Sequence, residues 1–550
     1  MPAMRRRDAL RALLAASSGA ALGCARATQR PPSIPPWSPE PIPEPLPREE
    51  LTEPTPAPAI VTSDAARPTI PYGVQSGDVT SRRAMIWSRA DRPARMVVEW
   101  STRASFADAT LVSGPVVTPE RDLCGHVDLD GLPPGQTIVY RVTFVDDGSG
   151  RTRSEPVTGR FRTASEAPRD VTLVWGGDTA GQGFGINLAW GGIKIFEAMR
   201  RLEPDLLVHC GDMIYADAPI QPQVRLPDGA IWTNLTTPEK SRVAETLDDF
   251  RGNFAYNLLD DNIRRFNAEV PSLVLWDDHE IRNNWFPGQV LRDDRRYTEK
   301  SASTLAVRAR RAMFEYTPIR AEGPEGRIYR SLRLAPSVEV FALDERTYRG
   351  PNTNNQQRTP SASTAFLGEA QLRWLEASVA QSTATWKVIA TDMPLGLLVS
   401  ERAARGGRLY DGWANGAGPP LGRELELAAL LRSWKRGRVR NVVWLTADVH
   451  YAAAHHYDPA RASFTEFFPF WEFVAGPFHA STFGPNPLDS TFGPEVKYQS
   501  PPSGLHLRGP ADGGQYFGAI HVNARTEVMT VSLHDLTGAR LYHVELPPER

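Results

Sequence analysis

Cysteine is scarce in this chain: three residues in 550, at positions 24, 124 and 210. Their spacing matches no zinc motif and no disulfide framework, so neither a structural zinc nor a set of cross-links is expected to hold the fold together. Cys210 ends an apolar run and is expected as a buried small hydrophobe. A Cys124–Cys210 bridge would have to join two regions of different texture and is not expected. Net charge is nearly absent too, with 62 basic against 64 acidic residues. That balance creates no field to attract nucleic acid or an anionic membrane, and neither is expected as a partner. The one apolar stretch near the N-terminus is too short to span a bilayer. The length exceeds one ordinary domain and suits two domains plus a tail.

What is present begins with an address label. Residues 4–24 read MRRRDALRALLAASSGAALGC, a basic start followed by a short apolar stretch and small residues. That is the pattern of an export signal. Arg6-Arg7-Asp8-Ala9-Leu10-Arg11 resembles a twin-arginine signal with Ala9 where Phe is usual. Ala21-Leu22-Gly23-Cys24 resembles a degenerate lipobox, which would lipidate Cys24; ordinary cleavage nearby is the alternative. Residues 25–68 form a spacer: 12 of the 28 positions from 31 to 58 are proline, and such a chain stays extended rather than forming a core. An exported protein is expected, periplasmic or at the cell surface, touching a membrane only through a lipid anchor at Cys24.

Residues 69–165 are all-β in texture. Met85–Trp87, Met96–Trp100 and Thr137–Val145 are short runs rich in Val, Ile, Tyr and Trp, bounded by Gly, Pro and Asp. The stretch VDLDGLPPGQTIVYRVTF, residues 127–144, resembles a strand–turn–strand of a fibronectin type III sandwich, with Tyr140 as its tyrosine. His126 stands alone there and is expected in a turn or at the surface. From residue 166 onward strands and helices alternate, which argues for an α/β layered fold. The strand-like runs are Val171–Trp175, Leu206–His209, Ser272–Trp276, Trp386–Ala390 and Val442–Leu445; helical patterns cover Ile193–Arg201, Thr246–Phe266 and Leu367–Gln381. Residues 515–547 return to β pairs and are expected to close a sheet edge.

Each of the five runs ends in a polar cluster: Gly177-Asp178, Gly211-Asp212-Met213-Ile214-Tyr215, Trp276-Asp277-Asp278-His279-Glu280, Thr391-Asp392-Met393-Pro394 and Ala447-Asp448-Val449-His450. In layered α/β folds, chemistry gathers at the carboxyl ends of strands. One aspartate there is often only a helix cap. Five carboxylates converging in one place repel and desolvate badly unless cations lie among them, so a metal centre is the better reading.

The order and content of these blocks resemble the calcineurin-like metallophosphoesterases. GDxxY with WDDHE and DVH, preceded by a β-sandwich, is similar to the PhoD-type alkaline phosphatases. The resemblance implies metal ligands at Asp178, Asp212, Tyr215, Asp278, Asp392, Asp448 and His450, with Asp212 bridging two ions. It also implies a catalytic His279, with Asn283 as a candidate phosphate contact. Asp178 stands where PhoD-type enzymes commonly carry Cys, and Asp392 where the wider superfamily carries His.

Asp178, Asp212, Tyr215 and His450 would form one site, and Asp212, Asp278, Asp392 and Asp448 an all-oxygen second site suited to hard cations. Five carboxylates and one phenolate carry six negative charges, which two divalent ions do not balance. A trivalent ion, a third cation or both are therefore expected: two or more metals, iron(III) with calcium first, and manganese, magnesium or zinc open. The implied activity is hydrolysis of phosphomonoesters, phosphodiesters or both, with phosphate-ester small molecules as substrates and a monomeric enzyme. A surface phosphodiesterase of phospholipase D type acting on lipid or polymer headgroups, and a non-catalytic metal-stabilised binding protein, are the alternatives. His455 and His456 are expected near the mouth of the site, His209 in a structural place. The residues between Tyr215 and Asp277, and the polar segment 346–366, are expected to cover the site.

Overall fold

The computed structural model describes residues 67–146, 152–323, 326–402, 406–416, 418–500 and 509–550. The expected signal, spacer and Cys24 lie outside the described residues. Among the described residues no helix is long and apolar enough to cross a membrane.

The five strands that carry the site are β1 (Val171–Gly176), β2 (Leu206–His209), β3 (Ser272–Val274), β4 (Trp386–Ala390) and β5 (Val442–Thr446). They lie in two large mixed sheets. In the first, β1, β2 and β3 are adjacent and parallel, and three antiparallel strands from Tyr516 to Leu546 extend it beyond β1. In the second, β4 and β5 are adjacent and parallel, flanked by Val338–Ala342 and Phe470–Val474 in the same direction. The inner faces pack on each other, with Trp175 meeting Phe473 edge-on at 6.5 Å.

Alternation in the strands explains the layering. In β4 and β5, Trp386, Val388, Ala390, Val443 and Leu445 join the core between the sheets. Their neighbours Ile389 and Trp444 point the other way, into a second core beneath the helices Glu369–Gln381 and Glu424–Arg436. Both faces are buried, so the strands read as nearly continuous apolar runs. The expected helix over Thr246–Phe266 is in fact two, Leu247–Asn257 and Asp261–Glu269. Asp260 divides them, because its carboxylate accepts from the backbone N–H groups of Asn262 and Ile263 and so starts a new helix.

The N-terminal region is a sandwich of a four-stranded sheet against the strands Val74–Gly77, Ala84–Arg89 and Cys124–Leu129, around a core that includes buried Tyr140. Those three strands continue the first large sheet, because Gly77 pairs in parallel with Ser272 of β3. A side chain at Gly77 would meet the Ser272 carbonyl at 2.8 Å, so the join requires glycine. His126 is on a strand and not in a turn; its Nε2 lies 3.0 Å from the Thr317 carbonyl. Cys124 and Cys210 are free and buried.

Candidate metal centre

The loops leaving the core strands share an unusual backbone. Asp178, Asp212, Asp448 and His450 all have positive φ, at 70°, 50°, 62° and 58°. For residues with a Cβ this conformation costs on the order of 1–3 kcal/mol each, and it collects at functional sites. The turns are held by Glu280, whose carboxylate accepts from the N–H groups of Asp277 at 2.7 Å, Asp212 at 3.1 Å, Met213 at 2.5 Å and Ile214 at 3.2 Å. One side chain thus fastens the β2 and β3 loops together. Gly211 permits the approach, since a Cβ there would stand 2.5 Å from that of Asp277.

The result is two groups of potential ligands with one member in common. Donor atoms of Asp178, Asp212 and His450 lie within 4.8 Å of one another, and so do those of Asp212, Asp278 and His279. Asp212 belongs to both. Tyr215 completes the first group, its hydroxyl 2.9 Å from His450 Nε2 and 3.4 Å from Asp178 Oδ1. His450 directs Nδ1 to the Ser481 carbonyl and stacks on Phe483, which leaves Nε2, 3.1 Å from Asp178 Oδ1, to face the group. Asp178 Oδ2 and Asp278 Oδ1 are buried with no hydrogen-bond partner among the described residues. Orphaned carboxylate oxygens of this kind are costly, and a cation would satisfy both.

His279 stacks on the Tyr215 ring at 4.3 Å. Its Nδ1 stands 2.6 Å from Asp217 Oδ1 and its Nε2 3.8 Å from Asp278 Oδ1. Burial disfavours the imidazolium, but Asp217 and Asp278 outweigh it and push His279 up to about 10. Asn283 is exposed, and its backbone N–H donates to Asp217 Oδ2 at 2.9 Å. Its contact in the structure is therefore to the partner of His279.

Asp392 and Asp448 lie outside both groups of clustered donor atoms. Asp392 accepts from Arg346 Nε at 3.1 Å and from the Thr391 hydroxyl at 3.2 Å. Arg346 is fully buried and also meets Asp277 and Asp411. Asp448 is half-buried. Without cations the acids repel. Burial, then Asp277, raises Asp212 and Asp448 well above the ordinary carboxylate range; burial, then Glu345, does the same to Asp392. Burial and Asp212 raise the Tyr215 phenol. Bound cations reverse this logic, so the donor set fits metal.

Residues 173–533 match the family model of the PhoD-like phosphatases, and residues 55–165 match the model of their N-terminal domain. The chain belongs to the PhoD-like phosphatase family. It is 26% identical over 421 residues to alkaline phosphatase D of Bacillus subtilis, covering 71% of this chain and 66% of that protein, just under two thirds of its length. The solved structure of PhoD matches with a TM-score of 0.64 at 21% identity, covering 88% of this chain and 90% of that one. Purple acid phosphatase PPD1 from yellow lupin matches at 0.56 and 12% identity, covering 88% and 74%. The layered fold with a β-sandwich ahead of it is that of this family.

Several residues of this PhoD-like site escape sequence reasoning. Asp217 follows Asp212 by five positions, and that closeness was its only signal. Arg346 comes from a segment expected as a cover; instead its first residue reaches the carboxylates from within the protein. His455 is not at the mouth either. It is fully buried, with Nδ1 2.9 Å from Glu472, which also accepts from the Tyr457 hydroxyl at 2.7 Å. Its place on a strand between two neighbours, with both faces covered, explains this. His456 packs on Trp471. His209 is structural as expected, buried with Nε2 3.0 Å from the Thr179 hydroxyl.

Proposed function

We propose that this PhoD-like protein hydrolyses phosphate esters, monoesters, diesters or both, at a centre of two metal ions that share Asp212. The observation that carries the reading is the membership of Asp212 in both ligand groups, joined by orphaned oxygens on Asp178 and Asp278. Asp178, Tyr215, His450 and Asp212 would hold one ion. Asp212 and Asp278 would hold the other, with Asp448 at its open side. A phenolate, carboxylates and one imidazole suit a hard, highly charged ion such as iron(III), and the oxygen donors of the second suit calcium, with manganese or magnesium next. When bound, the metals supply positive charge to the phosphate and acidify water.

The chain's own residues do the rest. Asp217 fixes the His279 ring and keeps its proton, leaving Nε2 to hydrogen-bond a phosphate oxygen or protonate the leaving oxygen. Tyr215 buttresses the ring from one face. Asn283 keeps Asp217 in register through its backbone, and its exposed side chain is available to a substrate. The proposed setting is outside the cytoplasm, after export by the N-terminal signal, with the sandwich at 69–165 joined to the catalytic region at 166–550 through their shared sheet.

The test is elemental analysis of the purified protein, paired with hydrolysis of a nitrophenyl monoester and a nitrophenyl diester. Iron with calcium and turnover of either ester are expected. A protein that binds no metal while folded, or that binds metal and turns over neither ester, would remove the reading.

A further inference from the structure

Asp392 occupies the fourth strand-end block, where a metal ligand is expected, yet its surroundings differ from those of the clustered ligands. Asp178 and Asp278 each keep one buried oxygen with no partner among the described residues. Both oxygens of Asp392 are engaged: Oδ2 accepts from Arg346 Nε at 3.1 Å and Oδ1 from the Thr391 hydroxyl at 3.2 Å. The guanidinium is wholly buried and spans carboxylates from three segments. Nε and Nη2 lie 2.7 and 2.5 Å from Asp277 Oδ1, and Nη1 lies 2.9 Å from Asp411 Oδ2. Nη2 stands 3.8 Å from Asp278 Oδ2, on the side away from that residue's orphaned oxygen. A planar fork that is always charged suits such an array, whereas lysine offers a single point charge.

We propose that Asp392 is held by Arg346 and is not a metal ligand, and that Arg346 is a fixed cation set behind the metal centre, its charge shared among Asp277, Asp411 and Asp392. This rests on the reading that metals occupy the two ligand groups. It alters the charge balance at that centre. With Asp392 turned to the guanidinium, the ligand set is Asp178, Asp212, Asp278, Asp448 and ionised Tyr215, with five negative charges. One trivalent and one divalent ion match that set, and no third cation is required. Arg346 is thereby a positioning residue: it fixes the ends of β3 and β4 at Asp277 and Asp392 and draws Asp278 towards it electrostatically.

The test compares metal content in Asp392→Ala and Asp278→Ala with that of the parent protein, all purified with iron and calcium present; alanine is used because an asparagine amide oxygen could still ligate a hard cation. Asp392→Ala is expected to retain the parent's full metal stoichiometry, while Asp278→Ala loses one equivalent. Arg346→Lys should lower the thermal midpoint in the parent background by more than in the Asp392→Ala background, since the pair is coupled. Loss of one metal equivalent in Asp392→Ala, equal to that in Asp278→Ala, would overturn the proposal and leave the phosphoesterase reading standing. If alanine prevents folding, Asp392→Ser leaves room for water on the guanidinium and is read the same way. A metal-free parent protein counts against the metal centre itself and is thereby distinguishable from failure of the Arg346 assignment.

Discussion

The Asp217 carboxylate stands 2.6 Å from Nδ1 of His279, and the same carboxylate accepts the backbone N–H of Asn283 through its other oxygen. Both ends of the turn that carries His279 are thus tied to one acid five residues beyond Asp212. The tie fixes which ring nitrogen faces the ligand groups, and it holds a proton on the ring. Burial opposes the charge; Asp217 and Asp278 overcome it, to about 10. A cation on Asp278 cancels that residue's part, and Asp217's part remains.

Asp217→Asn therefore lowers the His279 pKa and keeps the shape of the site. The alkaline limb of the kcat/KM profile should move to lower pH, and the rate at its maximum should fall about 10- to 100-fold, as is typical when an orienting partner is removed. Titration of activity from pH 6 to 11 in both proteins checks this. An unshifted alkaline limb would show that another group sets it.

Gly476 lies against the orphaned oxygen of Asp178: a Cβ at that position would stand 2.5 Å from Oδ2. Gly476→Ala should displace the carboxylate, with loss of the ion shared by Asp178, Tyr215 and His450. More than tenfold loss of activity is expected, together with one metal equivalent fewer by elemental analysis. Full metal content in the variant would mean that Asp178 does not use that oxygen.

Metal removal should act on stability with a definite pH dependence. In the metal-free protein the pKa values of Asp212, Asp392 and Asp448 are raised, by burial first and neighbouring acids next. The folded chain then binds protons that the unfolded chain has released, so its stability is greatest at low pH and declines as pH rises through the raised values. Metals bind the deprotonated acids and reverse the trend. The gap in melting temperature between metal-loaded and chelator-treated protein should widen from pH 5 to pH 9. A constant gap would show that protons and metals do not compete for these groups.

A second pH effect belongs to the helix Glu424–Arg436. Burial, and after it Asp489, push Glu424 up to about 9 from an ordinary 4.5. Raised in the folded state, this group contributes stability that is complete below 4.5 and lost as pH rises towards 9. Glu424→Gln, which keeps the acceptor for Asn415 Nδ2 at 2.5 Å, should flatten that decline without changing metal content. Thermal melts across the same pH range decide it, and an unchanged slope would place the decline elsewhere.

Much of the architecture was legible because it rests on local patterns. A strand buried on both faces reads as an apolar run; β2 and β4 end where their runs end, and β1 and β5 one residue later. Of the acids that follow the strands, Asp178, Asp212 and Asp278 meet in the two clusters, since parallel strands of one sheet bring their carboxyl ends to one edge; Asp392 and Asp448, from the second sheet, lie outside both. The family motifs Gly211–Tyr215, Trp276–Glu280 and Asp448–His450 carry Asp212, Asp278, His279 and His450 of the clustered donors, but they also implied Asp448, which lies outside both groups. The division of the helix at Asp260 was less visible, because a cap and an ordinary helical aspartate look alike until the backbone turns.

The sequence by itself determined the two textures and the strand-end acids, and its resemblance to the family implied the grouping of Asp212 with Tyr215, His279 and His450. Only the tertiary structure decided how the remaining charges are disposed. Arg346 follows Asp277 by 69 positions, and Asp411 follows it by a further 65, so no periodicity or motif links them. Their meeting depends on the second sheet being laid against the first, and the identity of a buried charge's partner is a long-range property. The same holds for His455, whose exposure was decided by the strands on either side of it and not by its neighbours in the chain.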